Sequence, residues 1–562
     1  MTPRMLPELF QALMDDCRNT LDESASPRVY GERLFSSAAA QFELDEQLEV
    51  VQRVVADVTT YAGEMTYRLR SRRNQLSAIN RLPTDVLLII FQRAKDLITQ
   101  ETSFPRHRGA LKFSQVLLRL SSVCRLWRNF ITQDCPALWT KPPMTSPMLA
   151  MLFLSRSKEA PLEIAFDGDH KLSERLSLLR PHINRCRSLQ IFVHDDDNAQ
   201  KVVELLQGFP SAAHLESLYL RQGDFRDDTM GRTRSTSSLS GLFAGATPRL
   251  RKIHLRAICI PLDTPVFHGL THLDLSYIDY SDGGSIHKFF HTLELSPFLG
   301  VLRLIYVVLP PFIADIQPTP VLPTIVLTHL RSLFLRCRPG DQVRLILHQL
   351  AIPPSCRLDI CGETGMPGDD LYGFLPPPSV ISANTLPLMQ PIRLLCVEMD
   401  DDYIQLRGCT LGLQDQAYSI TQNGEGISQR VLPNLGHILP LVSLEELDLT
   451  VCTTEDSPDL FLQLADFLQR HPSIKDIVCN DPRVLELLVV TPTRHLCPLL
   501  HSLKFCFESA PCEAAMIRLV DSRTMRGDGG NNALRHVMVW ECASLSDSGL
   551  AALRERVEVE VD

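Results

Sequence analysis

The sequence lacks most of the signatures by which common chemistries are recognised. Its 16 cysteines are scattered singly through 562 residues without one Cys-x-x-Cys pair. That argues against a zinc site and against a disulfide framework, and runs such as LLCVEM and LKFCF suggest reduced, buried thiols instead. No Walker loop, no G-x-G-x-x-G opening a helix and no G-x-S-x-G elbow occurs, so no cofactor and no familiar catalytic centre is expected. Lys and Arg number 56 against 66 Asp and Glu, a net charge of −10. Without a cationic excess to neutralise phosphates, nucleic acid is not an expected partner. No run reaches eighteen consecutive apolar residues, and the opening MTPRMLPELFQALMDD has neither the charged start nor the continuous apolar stretch of a secretory leader. Neither membrane insertion nor export is expected, and the composition is that of a soluble protein of the cytoplasm, the nucleus or both.

The most informative stretch runs from Leu82 to Trp139. Pro83 suits the first turn of a helix, and Thr84 and Asp85 put oxygen acceptors near its free amide groups. Val86 to Phe91 are then six apolar residues in a row, more than one stripe of a helix needs, so a second face needs a cover. Further on, Leu117, Leu120, Cys124, Trp127 and Ile131 recur at steps of three and four between Arg119, Arg125 and Arg128, the pattern of a second amphipathic helix. A Leu138-Trp139 pair closes the segment.

The Leu-Pro start before an apolar helix, the stretch SVCRLWR and the closing Leu-Trp together resemble the F-box. The resemblance implies a small all-α module that binds the Skp adaptor of a cullin-based ubiquitin ligase. Carried over by position, it implies an adaptor contact made by Leu82, Pro83, Val86, Leu87, Ile90, Phe91, Val123, Cys124, Trp127, Leu138 and Trp139. One departure stands out: Leu82 and Cys124 are 42 positions apart (124 minus 82), longer than a compact F-box, with 98–113 as the apparent insertion. Loop entropy grows only logarithmically with length, so a surface insertion of this size is tolerable.

Upstream, Leu44, Leu48, Val51, Val55, Val58, Ala62, Met65, Leu69, Leu76 and Ile79 alternate at steps of four and three, interrupted by Arg72. This heptad seam can pair with a second copy or fold on a local helix, and makes a homodimer through 44–79 possible. The basic cluster Arg68, Arg70, Arg72 and Arg73 reads as the wet face of that helix.

Downstream a Leu-x-x-Leu-x-Leu signature or close variant recurs: Leu215-Leu218-Leu220, Leu250-Ile253-Leu255, Leu270-Leu273-Leu275, Leu299-Leu302-Leu304, Leu330-Leu333-Leu335, Ile392-Leu395-Val397, Leu444-Leu447-Leu449, Leu500-Leu503-Phe505 and Leu534-Val537-Val539. In the regular parts steps run from twenty (Leu250 to Leu270) to thirty-five (Leu215 to Leu250), bracketing the leucine-rich repeat period with insertions. A short strand supplies the alternation, and stretches such as SPDLFLQLADFLQRHP supply returning helices. The alternative is a set of Leu-rich strands in another α/β fold. Residues 226–241 are polar and Ser/Thr-rich, and 361–391 carry Gly362, Gly365, Gly368 and three consecutive prolines, so both read as loops.

Candidates for chemistry are few. His287 and His291 lie one helical turn apart without the carboxylate of a zincin, His268 and His272 sit at a strand, and the triplets Asp195 to Asp197 and Asp400 to Asp402 follow apolar runs as turns. The chain therefore reads as mixed α and α/β: a helical or irregular segment at 1–40, a coiled-coil-like helix at 41–79, an F-box at 80–142, and an irregular leucine-rich-repeat α/β solenoid at 143–562. The role expected is a non-catalytic substrate receptor, with a Skp adaptor, through it a cullin, and an unidentified target protein as partners. The alternatives are an interaction scaffold without a ligase role and an enzyme with a cryptic site.

Overall fold

The structure, a computed structural model, describes residues 35–100, 106–167, 172–194, 196–223, 241–282, 286–310, 324–337, 340–363, 386–410, 416–423, 441–452, 458–506, 513–524, 534–540 and 545–561, with single positions between them. Most of the expected segment 1–40 and of the loops 226–241 and 361–391 lies outside these residues. Two compact units emerge, Met1–Phe91 with Ser121–Asn129, and Gln92–Leu120 with Phe130–Asp562.

The first unit is led by α1 (Phe35–Gln75), 41 residues without a proline. Arg72 and Arg73 occupy its last turn, where cations complement the helix dipole. Arg53 pairs with Glu49 one turn earlier at 2.9 Å. Of the heptad seam, Leu44, Leu48, Val51, Val55 and Leu69 are exposed, and Val58 and Met65 are half-buried. The helix stops at Gln75 and a 3-10 turn follows at Ala78–Arg81, so Leu76 and Ile79 fall off the seam that their spacing predicts.

α2 (Thr84–Gln100) begins as Pro83 suggests: the Pro83 carbonyl accepts the Leu87 amide at 3.1 Å, and Asp85 sits in the first turn. α3 (Arg106–Val123) follows. The stretch 98–113, expected as a surface insertion, is thus mostly helix: 98–100 prolong α2, and 106–113 begin α3.

The single helix expected through Leu117 to Ile131 is broken. α3 ends at Val123, α4 (Arg125–Asn129) starts after Cys124, and a wider π-type turn covers Phe130–Asp134. A break exposes backbone groups at both new ends. Here the Cys124 sulfur accepts the Trp127 amide at 3.4 Å and the Arg128 guanidinium donates to the Ser121 carbonyl at 3.0 Å. Spacing alone missed the break because the apolar positions stay on period across it.

The second unit opens with α5 (Pro147–Arg156) and then lays down β1 (Leu162–Asp167), α6 (Leu172–Leu179), β2 (Cys186–Val193), α7 (Asp196–Gln207), β3 (Ser217–Gln222), β4 (Lys252–Arg256), β5 (His272–Ser276), α8 (His287–Glu294), β6 (Val301–Ile305), β7 (Ile325–Val326), β8 (Ser332–Arg336), α9 (Gly340–Gln349), β9 (Leu350–Ala351) and β10 (Arg357–Glu363). There follow β11 (Leu394–Met399), β12 (Tyr403–Cys409), β13 (Gln416–Asn423), β14 (Glu446–Val451), α10 (Pro458–Arg470), β15 (Asp476–Cys479), α11 (Pro482–Leu488), β16 (Ser502–Cys506), α12 (Glu513–Thr524), β17 (His536–Trp540), α13 (Asp547–Arg554) and β18 (Glu558–Val561).

Sixteen of these strands form one sheet in the order β1-β2-β3-β4-β5-β6-β8-β10-β13-β12-β11-β14-β15-β16-β17-β18, while β7 and β9 pair separately. All nine Leu-x-x-Leu-x-Leu segments supply strands of the large sheet. Their apolar positions are buried, as at Leu273, Leu302, Leu333 and Leu447, each no more than 1% exposed. Every such leucine removed from water contributes roughly 1.5–3 kcal/mol, and intervening residues such as His254 and Phe334 face outward, half-buried. A backbone device repeats with the strands. The carbonyl of Glu216 accepts the amides of Arg251 and Lys252, that of Arg251 those of Thr271 and His272, and that of Thr271 those of Gly300 and Val301. Beyond the middle of the sheet the same forked acceptor returns at Arg393, Glu445, Lys475 and His501.

Neighbours are parallel except in the middle. There β12 is antiparallel to both β11 and β13, while β13 runs parallel with β10 and β11 with β14. The chain therefore leaves β10, skips two places, and returns as a three-stranded meander before going on to β14. Asp400 to Asp402, expected as a turn after an apolar strand, turn the β11–β12 hairpin: the Asp400 amide donates to the Tyr403 carbonyl and the Asp402 amide to the Asp400 carboxylate, both at 2.9 Å.

Candidate adaptor-docking surface

The eleven residues that the sequence implicates divide by burial. Leu82, Pro83, Val86, Ile90 and Val123 are exposed, all in the first unit. Val86 and Ile90 lie one turn apart on α2, on one side of it, and Leu82 stands in extended backbone just before its start. Ile89, 55% exposed, and Leu126, 41% exposed, belong with them by accessibility. The carry-over did not include these two, although the unbroken apolar run from Val86 to Phe91 signalled Ile89. Exposed aliphatic side chains concentrated in so short a stretch mark a surface made to be covered.

Leu87 and Phe91 are buried, at 2% and 1% exposure. The Phe91 ring meets Trp127 edge to face with centroids 4.8 Å apart, and the Trp127 indole N–H donates to the Asn80 side-chain carbonyl at 2.7 Å. Trp127 thus ties α4 to both α2 and the turn preceding it, while the Arg125 guanidinium lies 3.3 Å from the centroid of the Tyr67 ring on α1. Cys124, half-buried, caps α4 as described. These residues hold the first unit in shape, and the aliphatic row is left to face outward.

Leu138 and Trp139 are fully buried in the second unit and present no surface to a partner. The Trp139 indole donates to the Ile131 carbonyl at 2.7 Å, its ring meets Phe153 of α5 at 4.7 Å, and the Arg156 guanidinium stacks over it at 4.6 Å. The Glu163 amide donates to the Thr140 carbonyl next door at 2.9 Å, which anchors this tail to β1. A tryptophan closing such a segment reads equally well as contact or as core from its type, and only packing separates the two.

Elsewhere His287 and His291 are exposed on α8, and His291 lies 3.3 Å from Glu294. Among the described residues no group of three or more His, Cys, Asp or Glu is placed to hold a metal ion, and no described helix is long and apolar enough to cross a membrane. A cleft of about 730 Å³ lies among the segments preceding β1 to β4. Its three arginines are engaged: Arg187 with Glu216 at 2.8 Å, Arg249 with His214 at 3.1 Å, and Arg185 with the carbonyls of Leu154 and Ala160.

Residues 79–143 match the F-box-like family. No curated protein matches the chain. The crystal structure of the Rad7 and Elc1 complex in yeast is similar over 84% of this chain and 96% of that chain, at 13% sequence identity and a TM-score of 0.23, a distance at which no role passes from one to the other. The chain thus carries an F-box-like segment, and its exposed aliphatic row lies within that segment.

Proposed function

We propose that this chain is the substrate-recognition subunit of a cullin-based ubiquitin ligase. Its exposed row Leu82, Val86, Ile89, Ile90, Val123 and Leu126 docks a Skp-type adaptor and through it the cullin. The second unit, read as an irregular leucine-rich-repeat solenoid, holds the target. The observation that carries this reading is the coincidence of the aliphatic row with residues matching the F-box-like family. Nine motif copies on one sheet and the recurring forked carbonyl support the repeat reading. No bond is made or broken by this chain in such a role: tethering a target beside the ubiquitin carrier raises its effective concentration, and that is the whole contribution.

The direct test is co-purification with a Skp-type adaptor. Val86→Asp and Ile90→Asp place carboxylates on the exposed row without touching the Phe91–Trp127 packing, so the fold should survive, as an unchanged thermal unfolding profile would verify. Burying an unpaired carboxylate in the interface should weaken retention by about tenfold or more. Full retention by both variants would remove the adaptor reading and favour a scaffold without a ligase role.

A self-association reading rests on the exposed seam of α1. If Leu48 and Val55 pair with a second copy, the full chain sediments as a dimer, and Leu48→Lys with Val55→Lys returns it to the monomer mass. A monomer before and after substitution would end that reading.

A further inference from the structure

We propose that the outward face of strands β3 to β8 binds an acidic, extended polypeptide segment. This deepens the reading of the second unit as the target-holding part and rests on it. Along β3, β4, β5, β6 and β8, consecutive neighbours in the sheet, the side chains that alternate with the buried leucines and reach the surface include four cations, Lys252, Arg256, Arg303 and Arg336, and one anion, Asp274, which lies 4.0 Å from Arg303; Arg221 shares their side of the sheet but is buried. Along β14 to β18 the same outward positions reverse the count: Glu446, Asp448, Asp476, Glu558 and Glu560 stand against Lys504 alone.

The sheet's own stability does not account for this sorting. Arg221 lies directly across from Arg256, and Glu446 directly across from Asp476, and like charges facing each other across a sheet are unfavourable. Segregated charge of this kind serves recognition, by attracting a complementary partner and repelling others. The basic half is also built for carboxylates. The Arg256 guanidinium stacks on Tyr277 at 4.4 Å, that of Arg336 on Tyr306 at 4.8 Å, and that of Arg303 on Phe334 at 4.5 Å, while the two tyrosine rings adjoin at 5.1 Å. Stacking on a ring holds each guanidinium in a fixed plane, and a planar, oriented guanidinium is the cation best suited to a carboxylate. Tyr277 and Tyr306 reach these positions from left-handed backbone, φ 57° and 50°, a conformation that costs a bulky residue free energy and is retained only where the surroundings enforce it.

Five strands span about 19 Å at ~4.8 Å spacing, the length of roughly six extended residues. A polypeptide segment fits this extent better than a nucleic acid. The rings that could stack bases are already covered by guanidinium groups or by each other, and the acidic half of the same sheet repels a polyanion that runs on beyond the basic patch.

The test uses the full chain and a fluorescent Glu/Asp peptide of about eight residues, with a Gly/Ser peptide and an oligo-dT of similar length as comparators. The acidic peptide should bind with an affinity that falls as salt rises, and Arg256→Glu with Arg336→Glu should weaken it by about tenfold or more. The converse pair Glu446→Lys with Asp476→Lys, which extends the basic character of the face, should tighten it. Unchanged affinity in the first pair, or oligo-dT binding more tightly than the peptide, would overturn the proposal. Adaptor retention is read on the same variants. Lost peptide specificity with retained adaptor removes this inference alone, whereas an adaptor never retained by the unaltered chain removes the receptor reading on which it rests.

Discussion

Replacing Arg523 by methionine is expected to destabilise the end of the sheet unit by about 3–5 kcal/mol. Arg523 lies on α12 and is 8% exposed. Its guanidinium donates to three backbone carbonyls, Leu488 at 2.8 Å, Leu496 at 2.8 Å and Cys497 at 3.1 Å. The neighbouring Ser522 hydroxyl accepts the Val490 amide at 3.0 Å, so adjacent side chains hold the whole passage from α11 to β16. Burial pulls the Arg523 group down to about 10, still well above neutrality, so the cation persists and its donors stay committed. Methionine keeps much of the bulk but leaves three buried acceptors without a partner. Urea unfolding should show an earlier transition, and hydrogen exchange should quicken first at residues 484–506. A variant with the parent midpoint and parent exchange would refute this account, and Arg523→Lys, with one donor group for three carbonyls, should fall in between.

The second large effect is expected at Gly408. This residue faces Tyr418 across the β12–β13 pair, and a Cβ built there would stand 2.1 Å from the tyrosine ring. Tyr418 is fully buried at the centre of the meander, so the ring has nowhere to go. Gly408→Val should cost at least about 3 kcal/mol, through overpacking at a site with no room to relax. A companion substitution separates this steric cause from any general intolerance of the strand: Tyr418→Ala, itself destabilising, should recover part of the loss when combined with Gly408→Val. Additive losses in the double variant would mean that the two residues do not share the space. Among the described residues the Tyr418 hydroxyl has no hydrogen-bond partner, so Tyr418→Phe should be close to neutral.

What the sequence discloses depends on how local the governing physics is. The alternation of leucines is a property of five or six residues, and each of the nine segments built from it becomes a strand. β2 begins with Cys186, and Cys356, Ile474 and Val557 lead into β10, β15 and β18, all four buried where the other strands have leucine or its like. A pattern sought in leucine passes over them. The reversed meander was not legible for a different reason. Ile404 and Leu406 of β12 alternate like any other strand, and nothing in that alternation says which neighbour it takes or in which direction it runs. The docking surface shows the same limit. Aliphatic character placed Val86, Ile90 and Val123 in the candidate set, and Leu87, Phe91, Leu138 and Trp139 have the same character but are buried. Only the three-dimensional packing tells a side chain that makes a surface from one that holds it up.

The detour in the middle of the sheet has a consequence for the ribosome. Strands up to β10 can pair in the order in which they emerge, each covering the edge of the one before. After β10 the next strand made belongs three places further on, and the neighbour that β10 requires is complete only at Asn423, sixty residues after Glu363 (423 minus 363). At about 5–20 residues per second, synthesis leaves that edge uncovered for roughly 3–12 s. An open strand edge is a template for pairing with another chain, so this interval is when the nascent protein is most exposed to misassembly and most in need of a chaperone.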